Sequence, residues 1–105
     1  MKQNTFNMAI DETSDLLRFL SHPLRLTLLC LLCNGPQNVS TLQEQTMASQ
    51  VRVSQFLLMM KNKGILNAKR EGAFVYYEIK DSRIKTLINA LHKIFCAEKP
   101  KRGKK

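Results

Sequence analysis

The sequence comprises 105 residues with a net charge of +9, and 44% of its side chains are hydrophobic. This length accommodates one compact domain, and the apolar content is sufficient for a core. No apolar run reaches the roughly 18 residues that a membrane-spanning helix requires, and three cysteines are not the even set typical of a secreted disulfide framework.

Positive charge is concentrated in the second half of the chain. Residues 52–93 contain nine lysines and arginines against three acids, whereas residues 1–51 are nearly neutral. Five more basic residues lie in the last seven positions, which contain no acid. This asymmetry favours a polyanionic partner, because each neutralised phosphate releases condensed counterions. A charge surplus that only improves solubility is the alternative.

The chain contains no internal repeat, and we expect three regions. Residues 1–8 are polar and are predicted to be a flexible amino terminus, residues 9–98 to form one domain, and residues 99–105 to be a disordered basic tail. The first ten residues lack the apolar segment of a secretory signal. Together with the odd number of cysteines, this predicts a cytoplasmic protein without a membrane anchor.

Helical periodicity opens the predicted domain. A first helix is expected over residues 9–20, and Ser21 then resembles an N-cap with Pro23 in the first turn of a second helix. This second helix ends at Asn34-Gly35-Pro36. It is apolar on nearly all sides, so we expect it to lie at the centre of the fold.

The next two helices are short and close together. Ser40 and Gln43 form a capping-box pattern that predicts a helix over residues 41–46. Ser49 is the expected N-cap of a fourth helix, which Gly64 ends. Its inward face follows helical spacing and consists of Val53, Phe56, Leu57 and Met60.

Two strands and a last helix complete the pattern. Residues 65–70 and 73–79 are predicted strands, joined by a hairpin turn at Glu71-Gly72, and Asp81 is the expected N-cap of a final helix. The fold is therefore predicted to be mainly α with a β-hairpin, in the order of four helices, two strands and a fifth helix. Two short helices followed by a basic hairpin indicate a winged helix-turn-helix.

The start of the fourth helix has the side chains that base recognition requires. Arginine bonds the O6 and N7 of guanine in bidentate fashion, and glutamine bonds adenine similarly. Lys69 and Arg70 in the hairpin are expected to reach phosphates or the minor groove, although charged residues also protect solvated hairpin edges. The predicted double-stranded DNA contacts of the helix are Ser49, Gln50, Val51, Arg52, Ser54 and Gln55.

From Leu16 to Phe95 the sequence resembles the ArsR/SmtB family of bacterial repressors. Several segments match in order at the family's spacing, namely Leu20-Ser21-His22-Pro23-Leu24-Arg25-Leu26, Val39-Ser40-Thr41-Leu42, Ser49-Gln50, Val53-Ser54-Gln55-Phe56-Leu57, Gly64-Ile65-Leu66, Arg70-Glu71-Gly72 and Val75-Tyr76-Tyr77. The resemblance implies a regulator and not an enzyme. It also implies a homodimer built on the first and last helices, bound to an inverted-repeat operator.

The chain departs from the family pattern at several positions. Ala73 replaces a common basic wing residue, Phe56 replaces a common histidine, and Leu58 and Met59 stand where polar residues are expected. The metal-sensing sites of the family are absent. The third helix contains no cysteine, and the positions of the last-helix site are Asp81, Arg83, Ile94 and Ala97, of which only the first is a ligand type.

Cys30 and Cys96 resemble the thiol pair of the family's hemolysin-regulator and biofilm-repressor type. The local sequences Leu29-Cys30-Leu31-Leu32 and Ile94-Phe95-Cys96 match those members at the same separation. The resemblance implies that reactive sulfur or oxidants join the two thiols through a disulfide or polysulfide bridge, and that the bridged dimer releases DNA. A purely structural role is the alternative for each cysteine.

Cys33 lies one turn after Cys30, and its role is open between packing, a spare thiol and part of the sensor.

Three further hypotheses remain. The first is a zinc site, because zinc accepts a ligand set such as Cys30, Cys33, His92 and Cys96. We nevertheless expect neither a metal nor a cofactor. A thiol-redox enzyme is disfavoured because its CxxC motif belongs at a helix amino terminus after a strand. A winged helix that binds a protein partner is the last alternative.

Overall fold

The computed structural model describes the backbone of residues 2–96 and the side chains of residues 5–96. The elements follow in the order α1 (Lys2–Leu20), α2 (Pro23–Leu32), β1 (Gln37–Asn38), α3 (Val39–Thr46), α4 (Gln50–Asn62), β2 (Leu66–Glu71), β3 (Phe74–Ile79) and α5 (Ser82–Phe95). The predicted winged helix-turn-helix is confirmed. No helix of residues 2–96 is long and apolar enough to span a membrane. The predicted tail at 99–105 lies outside the described residues.

Helix α1 begins at Lys2 and not at residue 9, so the predicted start of the first helix is wrong, and the helix extends into the segment 1–8 that we expect to be flexible. The segment contains neither glycine nor proline to interrupt a helix. Phe6 precedes Ile10 by one turn and extends the apolar stripe of α1 towards its amino terminus. Most residues next to Phe6 in the sequence are polar, so the sequence alone does not reveal that the helix extends to this turn.

Helix α2 forms the centre of the core, as predicted. Leu28 and Leu29 are fully buried, and α2 packs against α3, α5 and β3. Its N-cap is His22 and not the predicted Ser21. The His22 Nδ1 accepts a hydrogen bond from the Leu24 N–H at 3.1 Å, and Pro23 has no N–H to satisfy at the first helical position.

A short strand, β1, was not predicted from the sequence. Gln37 pairs with Tyr77 of β3, which gives an antiparallel sheet in the order β1-β3-β2. Two residues are too short to show strand alternation, so only the pairing partner reveals the strand. The consequence is an earlier start of α3, whose N-cap is Asn38 and not Ser40. The Asn38 Oδ1 accepts from the Thr41 N–H at 2.9 Å.

The wing is a two-stranded hairpin whose turn lies one residue later than predicted. Glu71 still pairs with Phe74, so the loop consists of Gly72 and Ala73. Gly72 has a φ of 65°, a conformation that glycine adopts without strain. The departure at Ala73 therefore places a small neutral side chain at the tip of the wing.

The turn between α3 and α4 fixes the direction of the second helix. Met47 ends α3 in the left-handed region with a φ of 62°, and its N–H donates to the Gln43 carbonyl. Ser49 then caps α4, as predicted. Met47 is 89% exposed, so its side chain contributes little burial to offset the backbone strain.

Replacing Met47 by glycine is expected to raise the free energy of unfolding by about 0.5–1 kcal/mol, because glycine adopts a positive φ without steric cost. Denaturant unfolding followed by circular dichroism measures this difference. Met47→Ala is the matched control, since it removes the side chain and keeps the strained backbone. Equal stabilities of the glycine and alanine variants would contradict the assignment of strain to this turn.

Candidate nucleic-acid interface and thiol cluster

The amino end of α4 is oriented towards solvent. The Ser49 hydroxyl accepts a hydrogen bond from the Arg52 N–H at 3.2 Å, which fixes the first turn of the helix. Val53, Leu57 and Met60 are fully buried in the core. The opposite face carries the predicted contact residues: Gln50, Val51, Arg52 and Gln55 are exposed, and Ser54 is half-buried.

Phe56, the fourth predicted inward residue, is half-buried below this exposed face of α4. Its ring meets His22 edge-to-face, with ring centroids 4.7 Å apart. The Arg52 guanidinium lies 5.5 Å from the Phe56 ring centroid, and the Arg25 guanidinium lies 5.0 Å from it. Phenylalanine at this position therefore connects the first turn of α2 to an exposed arginine of α4 through ring and cation–π contacts.

Arg25 accounts for a second departure from the family pattern. Its guanidinium lies 4.3 Å from the Phe19 ring centroid, donates to the Phe19 carbonyl, and reaches the Met59 sulfur at 3.9 Å. Met59 thus accepts a contact from a cation where a polar residue was expected. Nothing in the structure explains Leu58, which is half-exposed on the same helix.

This contact between α2 and α4 was not predicted from the sequence. The i,i+4 spacing of Arg52 and Phe56 was its only local signal, because such pairs meet on a helix surface. The roles of His22 and Arg25 depend on the crossing of two helices. That crossing has no signature in the local sequence.

The two basic residues of the wing differ in their surroundings. Lys69 is opposite Tyr76 across the hairpin and shares a shallow pocket of about 350 Å³ with Glu71 and Glu78. Arg70 alternates to the other face of β2 and is opposite Val75. The acids therefore weaken the positive potential at Lys69 more than at Arg70.

The three cysteines lie at the boundary between α2 and α5, and all are free thiols. Cys30 lines a pocket of about 320 Å³ with Cys96 and His92, and it lines a second pocket of about 200 Å³ with Cys33 and the same histidine. Cys30 and Cys33 are half-buried, whereas Cys96 is exposed at the end of α5. Cys30 is thus the thiol that both pockets share.

The surroundings set the acidity of these thiols. Burial raises the pKa of the Cys30 thiol, and the neighbouring Cys33 and Cys96 raise it further, because a second thiolate nearby is unfavourable. Burial also raises the pKa of Cys33, and the Lys85 ammonium opposes that shift. The Cys33 sulfur lies 4.0 Å from the Lys85 carbonyl oxygen, so Cys33 contacts α5 directly.

The zinc hypothesis requires the three thiols and His92 to converge on one point. Among the side chains that the structure describes, no group of three or more His, Cys, Asp or Glu is arranged to hold a metal ion. The pocket that includes Cys33 does not include Cys96, whereas Cys30 and His92 line both pockets.

Two helices expose apolar side chains that no described residue covers. On α1 these are Phe6, Met8, Ile10 and Leu17, and on α5 they are Ile94 and Phe95, the last being 74% exposed. Large exposed apolar side chains that share a helix are typical of surfaces that contact another molecule.

Comparison with known proteins agrees with this architecture. The family model described as bacterial regulatory protein, arsR family, matches residues 22–68. The biofilm growth-associated repressor of Xylella fastidiosa (strain 9a5c) is 34% identical over 98 residues, which cover 93% of this chain and 86% of the relative.

Two solved structures extend the comparison to the fold. The transcriptional repressor BigR from Xylella fastidiosa superposes with a TM-score of 0.81 and 33% identity, covering 91% of this chain and 98% of that one. Reduced HlyU from Vibrio cholerae N16961 gives a TM-score of 0.80 and 27% identity, covering 91% and 99%. The chain therefore belongs to the ArsR family of DNA-binding transcriptional regulators, which are not enzymes.

Proposed function

We propose that this regulator is a homodimeric repressor that binds an inverted-repeat operator and is released when reactive sulfur or an oxidant links Cys30 to Cys96. The single observation that carries the proposal is the pocket between α2 and α5 that both thiols line. One relative is named a biofilm growth-associated repressor, which supports repression. A solved structure of another is of reduced HlyU, which supports redox activity in that relative.

The exposed surface of α4 supports the DNA-binding half of the proposal. In a helix-turn-helix the base contacts come from the amino-terminal part of the second helix, where Gln50, Arg52 and Gln55 are exposed. The Phe56 ring below Arg52 restricts the guanidinium and so favours one orientation towards a guanine. Val51, also exposed, fits the methyl group of a thymine.

The uncovered apolar side chains support the dimer. Phe6, Ile10 and Leu17 recur along α1 at helical spacing, and Ile94 and Phe95 lie at the end of α5. A second copy of the chain would cover these residues symmetrically and present two α4 helices to one operator. Cys96 adjoins this apolar end of α5, so a bridge to Cys30 would change the position of α5 relative to α2.

The chemistry of the bridge follows from the positions of the thiols. The exposed Cys96 thiolate is the first to attack a polysulfide; it keeps two of the sulfur atoms as a hydropolysulfide, and the rest leaves as a shorter polysulfide anion. The Cys30 thiolate then attacks the sulfur atom next to the Cys96 Sγ, and the terminal sulfur leaves as hydrosulfide, so that the two cysteines are joined through one inserted sulfur. A polysulfide bridge spans a longer gap between the two cysteines than a direct disulfide. An antirepressor that competes for a repressor's site would use the same switch.

Substitution of the reading helix and the wing should have different effects. We expect Arg52→Ala to lower the preference for the operator over random DNA by roughly 5- to 150-fold, the value of one bidentate base contact. Lys69→Ala and Arg70→Ala should each lower the affinity for operator DNA and for random DNA by the same factor. Arg70→Ala should cause the larger loss of affinity, because fewer acids surround Arg70. Gel shifts on the DNA upstream of its own coding region measure these changes.

Salt titration of the same complexes separates the contacts further. Each wing substitution should reduce the slope of log affinity against log salt by about 0.9 for each phosphate that the variant no longer neutralises. If Arg52→Ala affected operator and random DNA alike, α4 would not be the reading helix. An absence of DNA binding at any salt concentration would instead favour a winged helix that binds a protein.

The thiols should differ in their rates of alkylation. At neutral pH we expect iodoacetamide to modify Cys96 before Cys30, because Cys96 is exposed and the raised pKa of Cys30 keeps it protonated. The Cys30 rate should increase as the pH rises. In Cys96→Ser it should increase at a given pH, since one cause of the raised pKa is removed. Mass spectrometry of quenched samples measures the rates, and a Cys30 that reacts first would contradict the assignment.

Sulfur treatment tests the switch itself. Sodium tetrasulfide is expected to release the wild-type protein from its operator and to leave Cys96→Ser and Cys30→Ser bound. Cys33→Ser should still be released, because it retains the pair that forms the bridge. Fluorescence anisotropy of labelled operator DNA follows this release. Full release of the Cys96→Ser variant from DNA would show that Cys96 is not part of the sensor.

A further inference from the structure

Cys33 occupies a position that the proposed bridge does not use. It lies three residues after Cys30 on α2, and the two thiols line the same pocket of about 200 Å³ with Asn89 and His92. Cys96 lines a neighbouring pocket that also includes Cys30. Cys30 therefore shares one pocket with each of the other two thiols.

The end of α2 permits a bond between Cys30 and Cys33. Residues three apart on a helix have Cβ atoms about 5–6 Å apart, and a disulfide requires about 3.5–4.5 Å, so the bond forms only if the end of the helix shifts by about 1–2 Å. Cys33 is the C-cap, so no further helical turn holds its backbone in place. The chain then turns at Gly35, whose φ of 130° marks a conformation that other residues rarely adopt.

We propose that Cys33 is a resolving thiol that removes the bridge between Cys30 and Cys96 and so restores DNA binding. The proposal rests on the thiol switch proposed above. It assigns the two bonds of Cys30 opposite effects: the bond to Cys96 joins α2 to α5, whereas the bond to Cys33 stays within α2.

The exchange is balanced in atoms and electrons. In a bridge with one inserted sulfur, the Cys33 thiolate attacks the Cys30 Sγ, and its proton passes to solvent. A Cys33–Cys30 bond forms while the bond from Cys30 to the inserted sulfur breaks, and the electron pair leaves on that sulfur as a Cys96 perthiolate. A low-molecular-weight thiol then takes the extra sulfur from Cys96 as its own persulfide. No net oxidation accompanies the exchange.

Two features of the site favour this direction. The leaving perthiolate is a weaker base than a thiolate, and a less basic group leaves faster in thiol exchange. Burial raises the pKa of Cys33, and the Lys85 ammonium opposes part of that rise, so it increases the fraction of the attacking thiolate relative to a buried thiol without that cation. Neither feature depends on the DNA-binding face of the molecule.

Tryptic mapping distinguishes the two bonds directly. Cleavage after Arg25 and Arg52 leaves Cys30 and Cys33 in one peptide, whereas cleavage after Lys93 places Cys96 in another. A Cys30–Cys96 bridge therefore joins two peptides. A Cys30–Cys33 disulfide appears as a single peptide that has two fewer hydrogens.

The experiment is a time course on the full chain after a pulse of sodium tetrasulfide, removal of the excess and addition of glutathione. In the wild type the joined peptides should appear first and then be replaced by the single oxidised peptide, while operator binding returns in step. In Cys33→Ser the joined peptides should persist, and binding should return at least about tenfold more slowly, because an intramolecular attack becomes a bimolecular one.

The controls separate this inference from the proposed switch. Cys33→Ala should behave as Cys33→Ser does, and both should bind operator normally before treatment. If the joined peptides form and the wild type recovers no faster than Cys33→Ser, the resolving role is wrong and the switch stands. If the wild type forms no joined peptides and is not released, the switch itself is wrong. A single oxidised peptide that forms equally fast in Cys96→Ser would also overturn the proposal.

Discussion

Burial of α2 is the constraint on which the other elements depend. This helix is apolar on nearly all sides, and it can only be stable when α3, α5 and β3 cover it. Covering it fixes the position of α3, and the strained turn at Met47 then directs α4. The outward direction of the amino end of α4 is thus a consequence of how completely one short apolar segment is enclosed.

Both ends of α2 contact groups on which the proposed function depends. Its beginning carries His22 and Arg25, which pack on Phe56 below the exposed Arg52. Its end carries Cys30 and Cys33, which line the pockets against α5. The helix is only ten residues long, so a displacement of its thiol end relative to α5 acts on a rigid element that also supports α4. This continuity offers a physical route from a bond between sulfurs to the affinity for DNA.

Two of the four departures from the family pattern lie in this support. Phenylalanine at position 56 and methionine at 59 replace polar groups, and each contacts an arginine or histidine of α2. Phe56 therefore joins the two helices through ring and cation–π contacts, and Met59 joins them through the contact from the Arg25 guanidinium to its sulfur. In the wing, by contrast, Ala73 replaces a basic residue at the tip, and the remaining charge lies along β2. We expect the reading helix, more than the wing, to determine which DNA is bound.

Local sequence was enough to predict the order of the main elements, the N-caps at Ser49 and Asp81, and the exposed face of α4, because helical spacing and capping are local properties. It misplaced the starts of α1, α2 and α3 and gave no sign of β1. Tertiary packing establishes that Asn38 both pairs with β3 and caps α3, and that His22 caps α2 beside Phe56. The placement of Cys96 beside Cys30 also depends on how α2 and α5 pack, since residues 30 and 96 are distant in the chain. Contacts between segments that are remote in sequence are fixed by burial, and burial is a property of the whole fold.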